Sequence, residues 1–428
     1  MTLLLLATFA TLLLLGVPVA LTMGIASLVT TLASDTLRPI LLPQYLFSGI
    51  NSFPLMAVPL FILAADLMTA GKLTGALLGF SRALVGHLSG GLGHVNILAS
   101  MLFAGKSGSA LADAAGPGAI ALNLMRQAGY PRYYAGALTA TSAVIGPIIP
   151  PSIVMVVYAV TDHRVTVAGL FAAGIFPGIL LGMALAIANH VISKRKSFER
   201  ASRRASIGEI ARTFVQALPG LMMPVILLGG ILSGMFTVTE AAAIAVLYAL
   251  VVSLAMRGLK VQELPRIFLG SAMLTSAVLL IVSMASIFAH LLTIMQVPQV
   301  LAAWMTGLTE ERALVLIILA VFVLICGLFI DTLPAVIILT PILSPVAAQF
   351  GIDPLHFATI FILSLVLGMV TPPVGPVLFV VSAVGKLKLE RLATAVLPLL
   401  LAQLIVLALV IAFPAVSLSM PALFGYTR

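Results

Sequence analysis

The sequence predicts an all-α membrane protein of about ten spanning helices and two re-entrant helical hairpins, set out as two halves of inverted topology. Three observations carry this. Of 428 residues, 61% are hydrophobic and only 8% charged, against roughly 25% charged in a soluble domain. Apolar runs long enough to cross a hydrocarbon core about 30 Å thick recur from end to end. A polar hairpin tip followed by a Pro-Pro break occurs twice, once in each half.

The formal charge of +9 raises nucleic acid as a ligand, but the basic residues sit in short loops between apolar runs. Membrane topology accounts for them, and no nucleic-acid partner is expected. The single cysteine, Cys326, excludes a disulfide framework and a Cys-based metal site. The apolar stretch Met1 to Ala20 lacks a basic n-region, the first Lys or Arg being Arg38, and reads as a retained first span.

Spans are predicted near 3–18, 19–34, 52–70, 135–159, 166–192, 214–234, 238–256, 268–293, 356–383 and 393–413. Residues 85–124 and 312–349 each hold two apolar arms around a polar or Gly-containing break, at Gly105 to Ser109 and at Asp331 to Thr332. They read as hairpins that enter and leave on one side. The run Lys194, Arg195, Lys196, Arg200, Arg203, Arg204 is placed in the cytoplasm by the positive-inside rule. That choice puts 17 of the 22 basic residues inside and both termini outside. It opens the first hairpin to the cytoplasm and the second to the periplasm. Residues 1–193 and 212–428 become inverted repeats joined by a basic cytoplasmic linker, 194–211. Such a layout forms a binding site near the midplane, between discontinuous helices.

The chemistry follows from the two breaks. Ser107-Gly108-Ser109 precedes Gly146-Pro147-Ile148-Ile149-Pro150-Pro151-Ser152, and Asp331-Thr332 precedes Thr371-Pro372-Pro373-Val374-Gly375. Ser107 to Pro150 is 43 residues and Asp331 to Pro372 is 41. Proline lacks the N–H and clashes with the preceding turn, so both spans unwind there. Unwound backbone exposes carbonyls, while half-helix C-termini favour a cation and N-termini a carboxylate. Hydroxyls and carbonyls without a soft ligand suit a hard cation such as sodium rather than a transition metal. The plainer reading of any one break is a kink made for packing.

Several runs together resemble one family. Ser52 to Phe61 (SFPLMAVPLF), Phe103 to Ala110 (FAGKSGSA), Gly146 to Ser152, Phe236 to Ala242 (FTVTEAA) and Thr371 to Gly375 are similar to the large membrane subunit of tripartite ATP-independent periplasmic (TRAP) transporters, the DctM-like family. The resemblance covers roughly residues 10 to 415. It implies sodium-coupled import of an organic acid (a C4-dicarboxylate, a sialic acid-like compound or another carboxylate) across a bacterial or archaeal inner membrane. A soluble periplasmic binding protein would deliver it, a small four-span membrane subunit would be the partner, and no cofactor beyond sodium is implied. The motion implied is an elevator, with both hairpins and both broken spans sliding against a scaffold. By motif position the sodium-site candidates are Ser107, Gly108, Ser109, Gly146 and Pro147 in one half, and Asp331, Thr332, Thr371, Pro372 and Gly375 in the other. The substrate-site candidates are Lys106, Ser109, Pro150, Ser152, Thr332 and Thr371.

Lys106 departs from the family pattern, in which that position is apolar. A cation at the tip has three readings: contact with the substrate carboxylate, a pair with Asp113, or snorkelling to water. Glu240, following Thr237 and Thr239, reads as a helix-start cap, and Asp66 as interfacial. None of the six histidines is spaced from another as a metal ligand would be. Trp304 and the pair Tyr133-Tyr134 read as interface anchors.

Three rivals come from other classes. Gly105-Lys106-Ser107-Gly108 matches the Gly-x-Ser-Gly pattern of an intramembrane serine protease, but that leaves the matched second half without a role. Ser100 to Ser107 approaches a phosphate-binding loop, yet its first Gly is replaced by Ser100. A stand-alone sodium- or proton-coupled dicarboxylate carrier shares the hairpins and dispenses with the binding protein. No catalytic residue is assigned.

Overall fold

In the computed structural model the apolar runs fold as helices, because a chain without water around it must satisfy its own N–H and C=O groups. The structure describes residues 1–428 except 36, 72, 197, 199–203 and 427–428, and not the side chains of 74 and 105–107. Of the residues singled out above, Arg200 and Arg203, and the side chains of Lys106 and Ser107, therefore lie outside the described residues.

The first half comprises α1 (Thr2–Leu14), α2 (Val19–Leu32), α3 (Leu41–Ile50), α4 (Ala57–Ala70), α5 (Leu73–Val85), α6 (Gly91–Ser107), α7 (Ala110–Ala115), α8 (Pro117–Gln127), α9 (Arg132–Ala143), α10 (Ile153–Thr161) and α11 (Val167–Arg195). The second comprises α12 (Ile207–Leu232), α13 (Val238–Ala255), α14 (Leu264–Ile294), α15 (Val297–Leu308), α16 (Arg312–Gly327), α17 (Thr332–Gln349), α18 (Pro354–Gly368), α19 (Pro376–Gly385), α20 (Leu389–Ala412) and α21 (Ala415–Leu423). No strand occurs among the described residues.

Six of the described helices are long and apolar enough to cross a membrane: α11, α12, α13, α14 with its leading turn, α17 and α20. A seventh arises if α3 and the stretch Pro54–Ala70, bent by 60°, count as one span. The expected spans at 135–159 and 356–383 are instead pairs of short helices, α9 with α10 and α18 with α19, because the Pro-Pro segments interrupt them. The first two expected spans are helices of only 13 and 14 residues. α17 was expected as a hairpin arm, yet at 18 residues it is itself of spanning length.

Packing sorts the helices into two groups. α2, α3 and α4 pack on α14, and α4 also packs on α13. The second group gathers around the hairpins: α6, α7 and α8 pack on α9, α16 and α17 pack on α18, and α11 and α20 pack on each other. The groups meet through α5, which touches α12 and α6, and α15, which touches α14 and α17, and also directly, where α14 packs on α17 and α4 on α6 and α10.

One close approach fixes the second hairpin against its broken span. The Cα of Gly327 lies 2.8 Å from where a Cβ on Gly368 would sit. Only two glycines let α16 and α18 come this near.

Candidate functional site

Each hairpin packs on the first half of its own broken span and on the second half of the other's. α7 and α8 contact α19, and α17 contacts α10. This crossing draws residues some 200 positions apart in the sequence into one body.

At the first tip, α6 ends on Gly108, whose φ of +56° suits glycine. Ser109 opens α7, its Oγ accepting the Ala112 N–H at 3.4 Å. The tip rests on the first break: a Cβ on Gly108 would stand 3.0 Å from the Ile153 nitrogen. Asp113 on α7 is buried, and its carboxylate occupies the space that a side chain at Gly146 would need. Gly146 is thus the seat of an acidic group, a pairing that its position in sequence did not announce.

The first break, residues 144–152, is buried throughout except at Ile149. Ser152 donates its hydroxyl to the Pro147 carbonyl at 2.6 Å and accepts the Met155 N–H at 3.3 Å, which caps α10. Two of the predicted site residues are therefore bonded to each other. Pro150 is buried in the same loop, and its bond to Pro151 is cis, as is Pro372–Pro373 in the second half.

At the second tip Asp331 opens α17. Its carboxylate accepts the Thr332 N–H at 2.7 Å and the Thr332 hydroxyl at 3.3 Å. Asp331 is half-buried and Thr332 buried. The second break is more open than the first, with Thr371 and Pro372 half-buried and Pro373 exposed. Thr371 donates its hydroxyl to the Leu367 carbonyl at 2.8 Å, which leaves the Oγ lone pairs for another partner. Gly375, at φ +50°, lets the loop curl so that the carbonyls of Met369 and Thr371 come within 2.8 and 3.0 Å of its Cβ position.

Electrostatically the halves match. α6, α9, α16 and α18 end at a tip or a break, and α7, α10, α17 and α19 begin there. C-terminal carbonyls and N-terminal N–H groups thus meet in pairs, with partial charges suited to a cation and to a carboxylate.

Other contacts were not legible in the sequence. Asn96 on α6 donates to Thr139 and Ser142 on α9 at 3.4 and 3.1 Å, buried between hairpin and broken span. Beyond the end of α10, Arg164 pairs with Asp162 at 2.9 Å, and both bond to Ser344 on α17. On α8, Arg126 donates to the Gly385 carbonyl of α19 at 3.2 Å. Both are cross-links between the halves, and both sit where a hairpin arm meets the other half's broken span. Tyr134 departs from the expected interface role: it is buried and donates to Asn189 at 2.8 Å. Thr237 and Glu240 cap α13 reciprocally, with Glu240 accepting the Thr237 N–H at 2.8 Å. Asp66 accepts from Ser271 on α14 at 2.6 Å.

Helical spans, hairpins and paired breaks of this kind define a polytopic membrane transporter. The family described as "Tripartite ATP-independent periplasmic transporter, DctM component" matches residues 6–416, and the chain belongs to it. It is 40% identical over 416 residues to the sialic acid TRAP transporter large permease protein SiaM of Vibrio cholerae, covering 96% of each chain. It is 39% identical over 406 residues to the C4-dicarboxylate TRAP transporter large permease protein DctM of Pseudomonas aeruginosa, covering 94% of each. The fold is that of the YdaH transporter of Alcanivorax borkumensis, with a TM-score of 0.68 over 99% of this chain and 98% of that one, at 16% identity.

Proposed function

We propose that the chain is the translocating subunit of a sodium-driven importer of an organic acid in a bacterial inner membrane. The observation that carries this reading is the doubled arrangement of tip and unwound break, with one helix C-terminus and one N-terminus flanking each of the four. Sodium is assigned to carbonyls and hydroxyls at Ser107, Gly108, Ser109, Gly146 and Pro147, and at Asp331, Thr332, Thr371, Pro372 and Gly375. With Ser152 bonded to Pro147, one lone pair of that carbonyl is already taken. The substrate carboxylate is assigned to the N-terminal ends near Ser109, Pro150, Ser152, Thr332 and Thr371, with Lys106 as a further contact. Relatives named for sialic acid and for C4-dicarboxylates support the carboxylate class.

The partners in this reading are a periplasmic binding protein and a small four-span membrane subunit. A relative named isethionate TRAP transporter permease protein DctMQ supports the second, since this chain matches only 64% of its length. Residues 1–193 and 212–428 act as inverted repeats, with the 194–211 linker in the cytoplasm. The hairpin group moves as an elevator against the group built on α13 and α14, and α5 and α15 serve as the arms between them.

The test is uptake in proteoliposomes with the small subunit and the cognate binding protein. Accumulation should require inward sodium and the binding protein together. Thr371→Ala should weaken sodium binding by about 1–3 kcal/mol, roughly 5- to 150-fold in the sodium needed. Thr371→Ser, which keeps the hydroxyl, should restore most of it. Steady accumulation with sodium absent on both sides and no binding protein present would instead establish a stand-alone carrier driven by protons or exchange.

A further inference from the structure

Where α5 ends and α12 begins, a cavity of about 410 Å³ is lined by Gly79, Arg82, His87, Arg204, Glu209 and Thr213, among others. Arg82 lies in the last turn of α5, and Arg204 precedes the Ser206 cap of α12. Among the described residues neither guanidinium makes an ion pair, although Glu209 lines the same cleft. Thr213 spends its hydroxyl on the carbonyls of Glu209 and Ile210, at 2.9 and 3.0 Å. Among the described lining residues, two guanidiniums against one carboxylate leave one positive charge in excess.

We propose that this cleft binds the phosphate of an anionic membrane phospholipid, with Arg82 and Arg204 as the phosphate ligands. Guanidinium is the side chain suited to phosphate oxygens, because its planar donors reach two of them together. A phosphodiester such as that of phosphatidylglycerol carries the one negative charge that balances the excess. Basic pockets between membrane helices at the surface are recognised sites for such headgroups.

The source is a lipid rather than a free ion because the polar cleft continues into an apolar strip. Immediately past Thr213, Phe214, Val215 and Leu218 are exposed on α12, and Phe214 packs against Phe80 of α5 with ring centroids 5.5 Å apart. A charged cleft above exposed hydrocarbon matches an amphiphile, with its headgroup above and acyl chains along the helix. A headgroup there would bridge α5, which leads into the first hairpin, to α12. The site does not depend on sodium coupling or on the identity of the transported acid.

Gly79 supplies a test that leaves the charges alone. A Cβ built on it meets nothing within 4 Å, so Gly79→Phe leaves the backbone into open space and directs its ring into the cleft. The purified full chain would be titrated with phosphatidylglycerol, phosphatidylethanolamine and inorganic phosphate, and bound species counted by native mass spectrometry. Phosphatidylglycerol should be retained in preference to phosphatidylethanolamine. Arg82→Gln, Arg204→Gln and Gly79→Phe should each weaken that retention at least about tenfold. Melting temperature reports whether each variant is folded, and Arg204→Gln, in the segment before α12, keeps the test open should a helix variant fail. Equal retention by the folded variants and the parent would overturn the proposal. So would equal retention of the two lipids, or binding of inorganic phosphate with no lipid retained.

Discussion

The Ser152 hydroxyl stands 2.6 Å from the Pro147 carbonyl and closes the first break by also accepting the Met155 N–H. At the second break Val374 stands two residues after Pro372, as Ser152 does after Pro150. There the Met369 carbonyl takes the Val377 N–H directly, at 3.1 Å. Across the first break the bridging bond thus comes from a side chain, and across the second it comes from the backbone. Ser152→Ala should leave a buried carbonyl and a buried N–H without that partner, at a cost of about 1–3 kcal/mol. Thermal unfolding of the purified protein checks this, and an unchanged melting temperature would mean that the loop is held by other contacts.

Gly146 gives way to the Asp113 carboxylate, so a methyl group there has nowhere to go. Gly146→Ala should displace Asp113 and lower stability by about 1–3 kcal/mol, the usual cost of overpacking. Gly270→Ala on α14 is the control, since its Cβ meets nothing within 4 Å. The pair should separate clearly in melting temperature and in uptake. Equal behaviour would mean that Asp113 moves freely.

Arg164 and Asp162 tie the end of α10 to Ser344 on α17, with the Asp162 side chain only 6% exposed. Arg164→Met leaves that carboxylate without its cation, and Asp162→Asn leaves the guanidinium without its acid. The double variant should be less destabilised than the sum of the two singles, by a coupling of about 0.5–3 kcal/mol. Additive losses in a double-mutant cycle would remove the pair as a link between the halves.

Orientation is checked from outside and inside the membrane. Lys196 follows α11 and is exposed, while Ala422 is exposed on α21; Ser417, by contrast, is buried against His356 at 2.7 Å. In a Cys326→Ala background, Lys196→Cys and Ala422→Cys should react with an impermeant thiol reagent from opposite sides, cytoplasmic and periplasmic respectively. Labelling from one side would overturn the positive-inside assignment.

Composition and spacing by themselves determined that this chain is helical and lives in a membrane, since 61% hydrophobic residues in spans of about 20 admit no other solvent. They also located both tips and both breaks, because proline and glycine act on the local backbone and need no distant partner. What depends on distant partners was decided by tertiary structure alone. The burial of Asp113 against Gly146, the Asn96 bonds to α9, and the removal of Tyr134 from the interface each join residues at least 33 positions apart. The cross-links through Arg164 with Ser344 and Arg126 with Gly385 join residues 180 and 259 positions apart. Pattern along a chain reports periodicity and breaks, whereas a buried polar group is satisfied by whatever the fold brings within about 3 Å of it.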